Sequence, residues 1–218
     1  MNFTIGTPAR QGFTLVALLV IIAVLALLAA MLLPALAGAK TKSARIQCVN
    51  NLKQSCLAFR IWEGDNNDKY PMAVSTSLGG SMEYIDGANT FRHFLVMSNE
   101  LSTPKILACP ADTRTAAANF SKLNNQNVSY FVGLEASDEF PTRFLDGDRN
   151  LTASLAPESG ILKLVPGQPV SWTETMHVNQ GNVGLSDGSV QQLSSSSLQN
   201  ALQVSGEPTN AWRIALPE

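Results

Sequence analysis

The chain falls into two hydrophobic regimes. From Phe13 to Ala39 it reads FTLVALLVIIAVLALLAAMLLPALAGA, with no charge and with Thr14 as its polar interruption. A helix rises about 1.5 Å per residue, so about 20 apolar residues cross a bilayer core and this run is long enough to span one. Beyond it the pattern turns amphipathic: Ile46, Val49, Leu52, Cys56 and Phe59 recur at spacings of three and four, while Lys53, Gln54 and Arg60 fall elsewhere on the wheel. The spacing predicts one helix continuing to about Trp62. A glycine and a polar cluster, Glu63-Gly64-Asp65-Asn66-Asn67-Asp68, then end it, and Tyr70-Pro71 leads away in extended form.

The remainder alternates short apolar runs with turn signals. Ile106–Cys109, Val128–Leu134 and Ile161–Val165 read as strands by composition and boundaries. Val183 to Leu193 reads as a hairpin whose arms flank Asp187-Gly188, a dipeptide suited to a two-residue turn. Ser194 to Ser197 offer caps for a last helix through Val204. No internal repeat is visible. The fold class is α+β: one long N-terminal helix, then a small antiparallel sheet with much loop.

Composition narrows the function. With 218 residues, 45% hydrophobic and 15% charged, the chain has room for one domain of ordinary size beyond the apolar block. Its 15 basic and 17 acidic residues leave a formal charge of −2, too weak a field to grip nucleic acid through its phosphates. Three cysteines without a CxxC pair do not make a disulfide scaffold or a zinc module of the usual spacing; they allow one bridge and one free thiol.

Three readings compete for the apolar block. Its length suits an uncleaved signal anchor. Ala35-Leu36-Ala37 fits the small-x-small pattern of signal peptidase, although the run exceeds the roughly 7–15 residues of a signal-peptide core. Charge counting does not support keeping the N-terminus inside, because Arg10 precedes the block while Lys40, Lys42 and Arg45 follow it. The third reading rests on Arg10-Gln11-Gly12-Phe13-Thr14-Leu15-Val16, a basic leader ending in Gly and then Phe directly on the span. This resembles the prepilin family of type IV pilins and type II secretion pseudopilins.

The resemblance implies a leader of residues 1–12 cut by a prepilin peptidase after Gly12, with methylation of Phe13. It also implies a transmembrane helix at 13–39, an amphipathic continuation at 40–63 and an α+β head at 64–218 on the periplasmic side of the inner membrane. Pro34 falls in register with the helix-kinking proline that pilins commonly carry. The partners implied are the peptidase, other pseudopilin subunits, an inner-membrane assembly platform and membrane lipid. One position departs from the pattern: Ala17 stands where the family usually has Glu, whose carboxylate pairs with a neighbouring subunit's N-terminus. That departure favours a minor or tip role over the repeating subunit.

Further matches lie downstream. His177 and Asp187-Gly188 are spaced as in prepilin-like proteins of the H-x9-DG group. Cys48-Val-Asn-Asn-Leu-Lys-Gln, Asp68-Lys-Tyr-Pro71 and Cys109-Pro-Ala-Asp112 are similar to the same group. The resemblance, with an oxidising periplasm, implies that Cys48 and Cys109 pair, leaving Cys56 without an evident partner.

Candidate chemistry is sparse. His177 and Asp187 invite a catalytic reading, but no G-x-S-x-G or comparable nucleophile accompanies them, so a strand-end His and a turn Asp are expected and an enzyme is not. His93 carries no signal. Asp146-Gly-Asp148-Arg-Asn150 places oxygens at alternate positions, as a calcium loop begins; Leu151 and Pro157 replace the turn Gly and bidentate Glu of an EF-hand. Related major pseudopilins bind calcium in C-terminal loops, and Asp187 or Asp65-Asn67-Asp68 offer further oxygens. No cofactor is required, and calcium is the ion this pattern admits. The expected function is a structural pseudopilin; the alternative is a membrane-anchored binding protein that does not polymerise.

Overall fold

The computed structural model describes residues 14–205 and 212–218. Helix α1 runs Leu15–Gly64, and the chain divides into two compact units between Lys42 and Ser43. In the first unit the large apolar side chains from Leu15 to Leu36 are 43–78% exposed around the whole helix circumference. Such a surface is stable only when something apolar covers it. Among the described residues this is the helix long and apolar enough to cross a membrane.

The second unit carries the sheet. After six short 3-10 turns and two short helices, α2 (Thr90–Leu95) and α3 (Ser98–Leu101), come β1 (Tyr130–Gly133), β2 (Phe144–Asp148), β3 (Leu151–Ala153), β4 (Ile161–Leu164), β5 (Val170–Trp172), β6 (Gln180–Leu185), β7 (Val190–Ser194), α4 (Ser195–Ser205) and β8 (Trp212–Ala215). Six strands form one sheet in the order β4-β8-β1-β2-β6-β7, antiparallel throughout, and β3 pairs with β5 separately. The α+β class, with a long apolar helix followed by an antiparallel sheet, is the pilin-like architecture that the sequence implied.

Both faces of the sheet are buried, as the period of two along β1 shows. Tyr130 and Val132 join a core with Cys48, Leu52, Cys56 and Phe59 from the last turns of α1, whereas Phe131 joins Leu198 and Leu202 of α4 with Trp172 and Trp212 on the other side. The buried stripe of α1 differs from the expected one. Cys48, Leu52, Ser55, Cys56, Phe59 and Trp62 are buried, while Ile46 is 59% exposed. Ile46 lies across the helix from Leu52 and Phe59, so the two thiols, not the isoleucine, set the face presented to the sheet.

Two local expectations need correction. Ile106–Cys109 is not a strand; Pro104–Leu107 is a 3-10 turn, which Pro104 starts and the Thr103 hydroxyl caps by accepting from the Lys105 N–H. The β6–β7 connection is not a two-residue turn. Gly188 N–H donates to the Leu185 carbonyl, and Gly188 alone there takes the left-handed φ of +84°, giving a three-residue loop with a glycine bulge. At α4 the expectation stands, with Ser194 Oγ accepting from the Ser197 N–H as the cap.

Candidate functional site

At the N-terminal end the expected processing residues Gly12 and Phe13 lie outside the described residues. Thr14 begins the described chain and caps α1, its Oγ1 accepting from the Ala17 N–H at 3.2 Å. The first helical residue is therefore Leu15. α1 runs unbroken through Pro34.

In the head, chemistry-bearing side chains converge between the end of α1 and the sheet. Asp146 and Asp148, two apart on β2, share the face toward α1, while the register shift between Phe144 and Asp146 leaves Phe144 in the core on the other face. Cys56 Sγ donates to Asp146 Oδ1 at 3.2 Å, and Cys48 Sγ donates to Asp148 Oδ1 at 3.1 Å. His177, on the turn between β5 and β6, places Nε2 3.4 Å from Asp148 Oδ2 and 3.4 Å from Cys109 Sγ. The donor atoms of Cys48, Cys109, Asp148 and His177 all lie within 4.8 Å of one another, and all four residues are buried.

Each member is held from behind. Asp148 Oδ2 accepts from both the backbone and side-chain N–H groups of Asn182, at 2.7 and 2.8 Å. The Tyr130 hydroxyl lies 3.4 Å from Cys48 Sγ. Cys109 follows the 3-10 turn, with Asn51 Nδ2 donating to the Ala108 carbonyl and Arg149 clamping Asp112 through two bonds of 2.8 and 2.7 Å. The His177 turn is strained, with Met176, Val178 and Asn179 at φ of +70°, +53° and +57°. A β-branched residue at positive φ persists only where its surroundings over-determine it. Asn150 supplies that restraint, donating through Nδ2 to the carbonyls of Thr173, Thr175 and Gln180.

Charge in this group is tightly linked. Burial pushes Asp148 up to about 6, against the field of His177, and pushes Cys48 far above a normal thiol. Cys48 as a neighbouring donor, aided by His177, brings Cys109 down to about 5. Burial opposes charge on His177, but the bond to Cys109 and the nearby Asp148 outweigh it and raise the imidazole.

The sequence candidates are thus redistributed. Cys48 and Cys109 are brought together as free thiols. His177 meets Asp148 and Cys109, whereas Asp187 turns to its own loop and accepts from the Ser189 N–H. Asp146, Asp148 and Asn150 do not share one oxygen pocket: Asp146 takes the Cys56 thiol, Asp148 joins the cysteines and histidine, and Asn150 binds backbone carbonyls. Asp148, Tyr130 and Asn182 were not singled out as partners of the cysteines by sequence. The available signal was two carboxylates inside the apolar run Phe144-Leu145-Asp146-Gly147-Asp148 of a chain poor in charge.

Residues 7–33 match the family model of the prokaryotic N-terminal methylation motif. The match supports a prepilin-like protein. It overlaps Gly12, Phe13 and the first turns of α1, where the sequence placed processing and the span. The motif belongs to structural pilin-type proteins, and with the one N-terminal apolar helix it supports a methylation-motif protein anchored in a membrane. No curated protein and no solved structure gives a significant match.

Asn150→Ala removes three bonds to a strained turn, and with the side chain buried the expected loss is about 1–3 kcal/mol. Hydrogen exchange checks this: amides from Thr175 to Gln180 should exchange faster while those of β1 and β2 keep their protection. Uniform protection across both regions would remove Asn150 as the restraint.

Proposed function

We propose that this protein is a single-pass pseudopilin or pilin-like subunit, cut after Gly12 by a prepilin peptidase, methylated at Phe13 and assembled into a type II secretion or type IV pilus-like filament. The head, on this reading, faces the periplasm of an inner-membrane protein. The observation that carries the reading is the methylation motif at residues 7–33 laid over an apolar helix whose side chains are exposed on every face. In a filament, neighbouring copies or other subunits of the same shape would cover that surface, and a helix that is apolar all round needs such a cover. The work is mechanical: the chain contributes packing surface, and the energy comes from an assembly ATPase on the platform.

A second reading, an anchored binding protein that does not polymerise, rests on Ala17. Its methyl group offers no acceptor to a neighbour's N-terminal amine. Crosslinking in membranes separates the two, since ladders with other subunits belong to a filament and a strictly monomeric species to the binder.

The deciding experiment is the N-terminal residue and intact mass of the protein from cells with a prepilin peptidase. A start at an N-methylated Phe13 is expected. A start at Gly38 or an intact Met1 would end the filament reading.

A further inference from the structure

We propose that Cys48, Cys109, Asp148 and His177 form a tetrahedral zinc site inside the head. The four donors come from four separate stretches of chain: the end of α1, the segment after the Pro104–Leu107 turn, β2, and the strained turn before β6. Zinc bound by sulfur at about 2.3 Å and by nitrogen or oxygen at about 2.0–2.1 Å sets its ligands roughly 3.3–3.8 Å apart. The separations in the fold lie around this range: 3.1 Å from Cys48 Sγ to one Asp148 oxygen, Oδ1, 3.4 Å from Cys109 Sγ to His177 Nε2, 3.4 Å from His177 Nε2 to the other Asp148 oxygen, Oδ2, and the four ligand atoms within 4.8 Å of one another. Four-coordination of an ion at the centre requires the widest pair to close by up to about 1 Å.

The donor set selects the metal. Two thiolates and an imidazole suit zinc, and the single carboxylate completes four-coordination; calcium, which takes six or more oxygens, finds one carboxylate here. The site is closed, with His177 at 8% exposure the least buried member and no position facing solvent, which is the character of a structural zinc. The surroundings also match what such a site requires of its outer partners. Asn182 fixes the carboxylate through two donors, the Ala111 N–H donates to Cys109 Sγ at 3.4 Å, and Asn150 fixes the turn that delivers His177. By binding all four stretches the metal ties α1 to the sheet and to the two segments that bring Cys109 and His177.

The test uses the full chain extracted from membranes in detergent. Zinc is measured by elemental analysis, and cobalt is then exchanged in under reducing conditions. Stoichiometric zinc is expected, with the visible d–d bands and near-ultraviolet thiolate charge-transfer band of a tetrahedral cobalt site. Cys109→Ser and His177→Gln should lose both signals, whereas Cys56→Ser, at a buried thiol outside the group, should keep them. Asn182→Ala, which leaves all four ligands, should weaken zinc binding about 10–100-fold. Reduced, folded wild-type protein that takes up neither zinc nor cobalt would overturn the site. So would a Cys48–Cys109 disulfide peptide recovered from protein alkylated at extraction without reductant.

Discussion

Gly184→Val should lower the melting temperature of the detergent-solubilised chain on the order of 10 °C. Gly184 lies on β6 opposite Asp146 of β2, at the point where the sheet touches α1. A Cβ there would sit 2.3 Å from Asp146 Oδ1 and 2.3 Å from Cys56 Sγ, both fully buried. Neither neighbour can swing into solvent, so the helix must lift from the sheet or the thiol must leave the carboxyl. Overpacking costs about 1–3 kcal/mol, and breaking the Cys56–Asp146 bond inside the core adds about 1–3 kcal/mol. Gly64→Ala is the control, since a methyl group there meets nothing within 4 Å. Parallel melts for Gly184→Val and Gly64→Ala would show that α1 does not rest on β6 as described.

Acidification from pH 6.5 to 4 should cost the head about 3 kcal/mol through His93 alone. This side chain, on α2, is fully buried with Nδ1 2.8 Å from Ser81 Oγ, and its Nε2 has no partner among the described residues. Burial lowers its pKa from 6.5 to about 4. Above pH 6.5 both folded and unfolded states carry a neutral ring, so the group contributes no slope. As pH falls below 6.5 the unfolded chain binds a proton that the folded one refuses, and stability drops until the folded pKa is reached near 4. Asp146, raised by burial to about 7, titrates in the opposite sense, because its folded state takes the proton first. The informative quantity is therefore the difference between wild type and His93→Gln. Denaturant midpoints at pH 7, 5.5 and 4 should diverge in favour of the variant on the acid side; parallel curves would mean that His93 is hydrated or paired.

The parts that were legible in the sequence are those whose signal is local. α1 was readable to within two residues because nothing interrupts its apolar run and Gly64 ends it. β1, β4 and the β6–β7 hairpin were readable from short apolar runs between turn residues. β2 was not, because Asp146 and Asp148 look like loop residues until their partners are known. Those partners, Cys56 and Cys48, lie 90 and 100 positions away, and Asn182 lies 34 positions on in the other direction. The same reasoning explains the His177 assignment. Its spacing to Asp187 spans the extended strand β6, so the strand-end His and the turn Asp sit at opposite ends of that strand, and the imidazole reaches Asp148 instead. Cys48 and Cys109 were linked only through a family resemblance, and the cluster around them depends on contacts that no sequence window contains.

β8 gives the head a strict order of completion. Residues 212–215 are the final strand described, yet they lie in the interior of the sheet between β4 and β1, pairing Ile214 with both Leu162 and Gly133. Until that stretch has left the ribosome, β4 has no neighbour in the six-stranded sheet and the outer edge of β1 stays open. A nascent or truncated chain that stops before Trp212 thus leaves its core partner Phe144 uncovered. Only a chain synthesised through Ala215 closes the six-stranded sheet.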